Sequence, residues 1–148
     1  MFKIEILKKA DSKIVKNVNA LTAQLSLSLN PPKPISLMYL EKIIHQKNSH
    51  FLVVRDRDRI VGLVQVYLTY IPTGIIAEVE DLVVDESYRK WGLGPLLVQK
   101  SIDIAEKAGA KHINLRTNPK RLEANKMYQA LGFSKMETNF YRINLPRS

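Results

Sequence analysis

Cysteine is absent from this chain of 148 residues. That excludes disulfides, thiolate metal sites and a cysteine nucleophile, and it fits a cytoplasmic protein. No apolar run approaches the ~18 residues a membrane-spanning helix needs, so no membrane partner is expected. The opening Met1-Phe2-Lys3-Ile4-Glu5-Ile6 alternates like a strand and lacks the apolar stretch of a signal peptide. His45, His50 and His112 have no ligand-like spacing, which argues against a metal site. No Gly-Lys-Ser/Thr phosphate loop occurs, and Gly92-Leu93-Gly94 lacks the third glycine of a dinucleotide fingerprint because position 97 is Leu. Acidic residues are scarce, 14 against 23 Lys and Arg, for a formal charge of +9. Two readings of that excess stay open: simple solubility, or a polyanionic partner such as a phosphorylated cofactor or nucleic acid. The basic residues spread from Lys3 to Arg147 without a dense block, which weakens the nucleic-acid reading.

The length suits one domain over residues 1–148, with no internal repeat and no low-complexity linker. Residues 2–8 read as a strand. Asp11 then offers an N-cap to a helix whose stripe of Ile14, Val15, Val18, Leu21, Leu25 and Leu29 runs to about Ser28. Asn30-Pro31-Pro32-Lys33-Pro34 breaks it, and Ser36 caps a second helix to about Gln46 with Leu37, Leu40, Ile43 and Ile44 inward. This pair reads either as a wall over a substrate site or as a plain helix connection. Residues 51–54, 60–68 and 75–84 read as an antiparallel meander, joined by the charged tip Arg55-Asp56-Arg57-Asp58-Arg59 and the turn Ile71-Pro72-Thr73-Gly74. A helix from Pro95 to Ala108 follows, closed by Gly109. His112-Ile113-Asn114-Leu115-Arg116-Thr117 is then a strand reached by a helical crossover, hence parallel to its neighbour. A helix over about 121–131 packs Leu122, Met127 or Tyr128, and Leu131 inward. Residues 133–145 close the chain in extended structure. The fold class is therefore α+β: a mixed, mostly antiparallel sheet flanked by helices.

The turn Arg89-Lys90-Trp91-Gly92-Leu93-Gly94 lies between a strand and a helix N-terminus. Amides of a first helical turn lack intrahelical acceptors, and the helix dipole favours an anion there. Gly92 and Gly94 permit close approach of a ligand or a positive φ. Glu78 and Glu80, two apart on a strand, share one face, and Asp81 is expected on the other.

Arg89-x-x-Gly92-x-Gly94 after a meander and before a helix resembles motif A of the Gcn5-related N-acetyltransferases (GNAT). Asn125-Lys126-Met127-Tyr128-Gln129-Ala130-Leu131-Gly132-Phe133 resembles the family's Asn-x-x-Tyr-x-x-x-Gly-Phe segment, and Thr117-Asn118-Pro119 before it fits. Both motifs and their separation agree over roughly residues 50–133. The resemblance implies a GNAT fold whose fourth and fifth strands splay apart. It also implies that acetyl-CoA is the acyl donor, transferring directly to a primary amine without an acyl-enzyme. The backbone of Leu82, Val83 and Val84 would pair with the pantetheine arm. Amides from Lys90 through Trp91, Gly92, Leu93 and Gly94 to Leu96 would hold the pyrophosphate, with Arg89 and Lys90 adding positive potential. Pro95 removes one donor. Asn118 and Asn125 would contact the cofactor, Tyr128 would protonate the leaving thiolate, and Glu80, with Glu78 next, would take the amine proton directly or through water. Edge strands in this family often pair, so a homodimer is compatible. The alternative is a non-catalytic module on the same fold that senses CoA or binds nucleic acid or protein.

Overall fold

The computed structural model describes residues 1–25 and 32–146. It divides into two compact units, Met1–Arg116 and Thr117–Ser148. The first holds a five-stranded sheet in sequential order, β1 (Phe2–Ile6), β2 (Ser49–Asp56), β3 (Arg59–Ile71), β4 (Gly74–Val84) and β5 (Ile113–Asn114). The first four strands pair antiparallel and β5 joins β4 in parallel, giving the expected mixed sheet flanked by helices. Among the described residues no helix is long and apolar enough to cross a membrane.

Alternation along β2 sets the two faces. Phe51 and Val53 point to one core with Ile60, Leu63 and Val83, covered by α1 (Ser12–Thr22) through Val18 and Leu21 and by α2 (Leu37–Ile44) through Leu40. Leu52 and Val54 point to the other with Val61, Val64, Val66, Val79 and Val84, covered by Leu93 and Leu97 of α3 (Leu93–Lys107). Each such fully buried side chain contributes roughly 1.5–3 kcal/mol of transfer free energy. Gly62 lets sheet and helix close up, because a Cβ there would sit 2.8 Å from Val54 Cγ1 and 3.4 Å from Leu97 Cδ1.

Local chemistry sets the helix ends. Asp11 accepts from the Ile14 amide at 2.8 Å and Ser36 from the Tyr39 amide at 3.1 Å, both as N-caps. At the end of α3, Gly109 takes φ +79° and its amide reaches the Glu106 carbonyl at 3.0 Å, while the Ala110 amide reaches Ala105 at 3.0 Å. These two bonds make a complete Schellman stop. Asn19 clamps the entry to α2, its Oδ1 accepting from the Ile35 amide at 2.9 Å and its Nδ2 donating to the Ile35 carbonyl at 3.0 Å.

Several expectations need correction. The helix of α1 ends at Thr22, and the segment that would carry it to Ser28 and Leu29, with Asn30-Pro31, lies outside the described residues. Leu37 is exposed rather than inward, because it opens α2 ahead of the turn that packs. Pro95 is the third residue of α3, not the first, still within the turn where a missing N–H forfeits no helical bond. Paired strand in β5 is two residues long because pairing with β4 stops after Ala77↔Ile113 and Glu78↔Asn114.

The second unit contains α4 (Leu122–Ala130), ended by Gly132 at φ +101°. Leu122 is 68% exposed, so the inward side chain of this helix is Tyr128. Residues 133–146 form no regular strand, and Met136, Phe140, Tyr141, Ile143 and Leu145 are exposed, against the expected extended closing strand.

Candidate active site

The candidate site begins where β4 ends. Asp85, buried, accepts from the Ser87 amide at 3.0 Å and from Arg59 Nη2 at 2.8 Å. That Asx turn starts the 3-10 turn Glu86–Trp91. The Tyr88 hydroxyl donates to Asp56 Oδ2 at 2.9 Å, and Phe2 packs edge-on against both Tyr88 and Trp91. Arg89 Nε donates to the Val84 carbonyl at 3.1 Å, and its Nη2 lies 3.4 Å from Gln24 Oε1. Gln24 Oε1 also accepts from the Glu86 amide at 3.0 Å. The turn is thus tied to β4 and to the residues after α1.

Gly92 then takes φ +73° as the N-cap of α3, with no atom within 4 Å of where a Cβ would be. Among the described residues no side chain caps this helix, so they leave the Leu93 and Gly94 amides without a side-chain capping acceptor. Leu93 is buried and anchors the turn in the core; Lys90 and Trp91 are exposed beside it. An anionic phosphate group fits this arrangement. Leu82, Val83 and Val84 lie along the end of β4, past the point where β5 pairing stops, so the two strands part there among the described residues. The Val84 carbonyl is already engaged by Arg89.

The carboxylates lie nearer the middle of β4. Arg116 Nη1 is 3.1 Å from Glu78 Oε2 and 4.0 Å from Glu80 Oε1, confirming that the two glutamates share a face. A bulge follows: Gln65 pairs with Glu80 and Leu63 with Val83, so Val64 faces both Asp81 and Leu82. Asp81 takes φ +55° in this bulge. The charges of Asp81 and Glu80 both reach the Tyr67 phenol, whose residue pairs with Glu78. Burial pushes that phenol above its usual range, the Gln46 side-chain hydrogen bond opposes the rise, and the charges of Asp81 and Glu80 add to it. Asp81 is solvent-reached, yet the protein atoms crowding it push its carboxyl above the ordinary aspartate value. Among the described residues no group of three or more His, Asp or Glu is arranged to hold a metal.

In the second unit, Asn125 Nδ2 donates to the carbonyls of Asn118 at 3.1 Å and Arg121 at 2.8 Å, and Asn118 Oδ1 accepts from the Lys120 amide at 2.9 Å. The two asparagines therefore meet, and these atoms build the turn into α4. Tyr128 is buried, its ring edge-on to Phe133 with centroids 5.9 Å apart. Burial raises its pKa and the Arg121 charge opposes the rise, so the phenol stays protonated at neutral pH.

The acetyltransferase (GNAT) family matches residues 18–133. The chain belongs to this family. N-alpha-acetyltransferase 30 of Schizosaccharomyces pombe is 30% identical over 117 residues, covering 76% of this chain and 75% of the relative. An uncharacterised N-acetyltransferase of Methanocaldococcus jannaschii is 26% identical over 102 residues, covering 67% of this chain and 45% of the relative. The alignment thus spans less than half of that longer relative. Among solved structures, AAC(6')-Iy in complex with the bisubstrate analogue CoA-S-monomethyl-acetylneamine superposes with TM-score 0.76 at 18% identity, covering 98% of this chain and 99% of that one. The mixed sheet with its parallel β4–β5 pair is the GNAT fold.

Five residues that sequence reasoning passed over shape this GNAT site: Arg116, Tyr67, Asp85, Gln24 and Gly62. Only Asp85 carried a local signal, as the first residue of Asp85-Glu86-Ser87. The others act through partners distant in sequence.

Proposed function

We propose that this chain is an acetyl-CoA-dependent N-acetyltransferase that transfers the acetyl group directly to a primary amine. One observation carries the reading. An α3 N-terminus without a side-chain cap, preceded by a left-handed glycine, stands at the end of a strand whose outer edge is released from β5. The Leu93 and Gly94 amides, with Arg89 and Lys90 beside them, suit the pyrophosphate, and Trp91 lies on the same turn. The backbone of Leu82 and Val83, more than the engaged carbonyl of Val84, suits the amides of the pantetheine arm by strand addition. Asn118 and Asn125 shape the approach to α4, and their remaining amide groups are the ones to meet the cofactor. The bisubstrate CoA analogue held by a fold neighbour supports this reading.

When bound, acetyl-CoA supplies an acyl group activated as a thioester. This chain's own residues supply the rest. Tyr128, kept neutral by burial, donates a proton to the leaving sulfur. Glu80 and Glu78 present negative charge to the incoming ammonium and receive or relay its proton, while Arg116 holds them in place. Tyr128 belongs to the second unit, so this reading takes residues 1–148 as one catalytic domain. Without cysteine, the protein contributes no thiol background to Ellman's reagent. Amine-dependent release of CoA thiol across a panel of primary amines is the expected result. Cofactor binding without release on any amine would favour a CoA-sensing module instead.

A further inference from the structure

The 3-10 turn Glu86–Trp91 docks on the sheet strand by strand. Side chains three residues apart in such a turn eclipse one another, so Tyr88 and Trp91 share one face, with Asp85 at its start. That face crosses the end of the sheet. Asp85 accepts from Arg59 of β3 at 2.8 Å, and the Tyr88 hydroxyl donates to Asp56 of β2 at 2.9 Å. Phe2 of β1, which pairs with Asp56, meets Tyr88 with ring centroids 6.0 Å apart and Trp91 with centroids 5.9 Å apart, both edge-on. Tyr88 has further ties: its amide donates to the Asp85 carbonyl at 2.8 Å, and the Arg59 guanidinium lies 5.9 Å over its ring. Trp91 is held more sparsely. Among the described residues Phe2 carries the one aromatic ring it meets, and Trp91 is 66% exposed.

The consequence falls on Gly92. A glycine at φ +73° has no side chain to lock it, and nothing lies within 4 Å of where its Cβ would be. Its conformation is therefore set by its neighbours. Leu93, 1% exposed, pins the following side in the core, and Trp91 on Phe2 is the pin on the preceding side. An exposed indole held by one ring adds little to a core, but it fixes where the backbone enters α3. Resting on the acetyl-CoA reading above, we propose that Phe2 is a positioning residue of the cofactor site. Its ring holds Trp91, and through Trp91 the left-handed Gly92, so that the Leu93 and Gly94 amides keep the geometry a diphosphate requires. Phe2 acts through Trp91 rather than by touching the cofactor, and the affinity it governs is that of the diphosphate part of the donor.

Trp91 is the sole tryptophan of the chain, so its fluorescence anisotropy reports the turn without a label. The full chain is compared with Phe2→Leu, which keeps apolar bulk and loses the ring edge, with Phe2→Tyr, which keeps the ring, with Trp91→Leu, and with the double variant of Phe2→Leu and Trp91→Leu. Phe2→Leu is expected to lower the Trp91 anisotropy and to raise the calorimetric Kd for acetyl-CoA by about 2- to 10-fold, the range an edge-on ring pair contributes. Phe2→Tyr holds both near the wild-type values. Trp91→Leu raises Kd at least as much as Phe2→Leu, and the double variant binds no more weakly than Trp91→Leu alone. Each Kd is read well below the melting transition, so lost stability alone moves none of them. Trp91→Leu alters an exposed side chain and tests the same link if Phe2→Leu does not fold. Wild-type Kd in Phe2→Leu or in Trp91→Leu overturns the proposal, as does a double variant whose loss is the product of the two single losses. All of these are binding measurements. The expected pattern supports the positioning role even in a chain that releases no thiol with any amine, a result that removes the acetyltransferase reading alone. No acetyl-CoA binding by the wild type overturns both.

Discussion

Arg89 Nε donates to the Val84 carbonyl at 3.1 Å, which ties the glycine turn to the last residue of β4. The first arginine of the glycine motif therefore acts as a brace as well as a charge. Hydrogen bonds to charged groups contribute about 1.5–3 kcal/mol. Arg89→Ala is expected to weaken acetyl-CoA binding by about tenfold or more, and Arg89→Lys to restore the charge but not the brace. Calorimetric Kd values for the two variants check this. Equal rescue by Lys would show that only the charge matters.

Tyr128→Phe keeps the ring on Phe133 and removes the hydroxyl proposed as the proton donor. The expected effect is a loss of kcat of about 10²- to 10⁴-fold with little change in acetyl-CoA affinity. Steady-state kinetics beside calorimetry separates the two. Full activity in the phenylalanine variant would remove Tyr128 from the chemistry.

Gly62 is required for packing rather than for a turn. An alanine there meets Val54 Cγ1 at 2.8 Å and the Val83 carbonyl at 3.3 Å. Overpacking of this kind costs about 1–3 kcal/mol. Chemical denaturation of Gly62→Ala should show that loss with an unchanged slope.

Glu5 joins β1 to β2 through Arg55 Nε at 2.6 Å, with Lys3 at 3.4 Å. The Arg55 hydrogen bond holds its carboxyl below the ordinary range against the opposing effect of burial. A depressed folded-state pKa means that the contribution is full above the ordinary glutamate range and is lost as pH falls through the folded value. With both side chains partly exposed, the pair contributes roughly 0.5–1 kcal/mol. Glu5→Gln should lose that much at neutral pH, and the two proteins should converge in acid, as read by urea denaturation at several pH values.

Caps and stops were legible because each is a local event: Asp11, Ser36 and Gly109 act within three or four residues of themselves. The β2–β4 meander and the parallel β5 followed from connection lengths, whereas the pairing of β1 with β2 had no local signal. What escaped depends on partners distant in the chain. The bulge at Asp81 reverses the alternation, so Val79 and Val84 face the same core although five residues separate them. Arg116 reaches Glu78 only because β5 brings it alongside. Alternation at 112–117 predicted a longer strand than the diverging backbones pair, and apolar residues at 140–145 predicted an extended close where no strand forms. The residues of the glycine turn were named from sequence; the bulge that holds Asp81 required the register.

Titration calorimetry of acetyl-CoA into the wild-type chain and Gly92→Val addresses the central claim most directly. A β-branched residue cannot hold φ +73° comfortably, so it displaces the turn that presents the amides of Leu93 and Gly94. The account predicts saturable binding with one site per chain in the wild type and its loss in a variant that still melts cooperatively. Absence of heat and of any melting shift with millimolar acetyl-CoA in the wild type would contradict it.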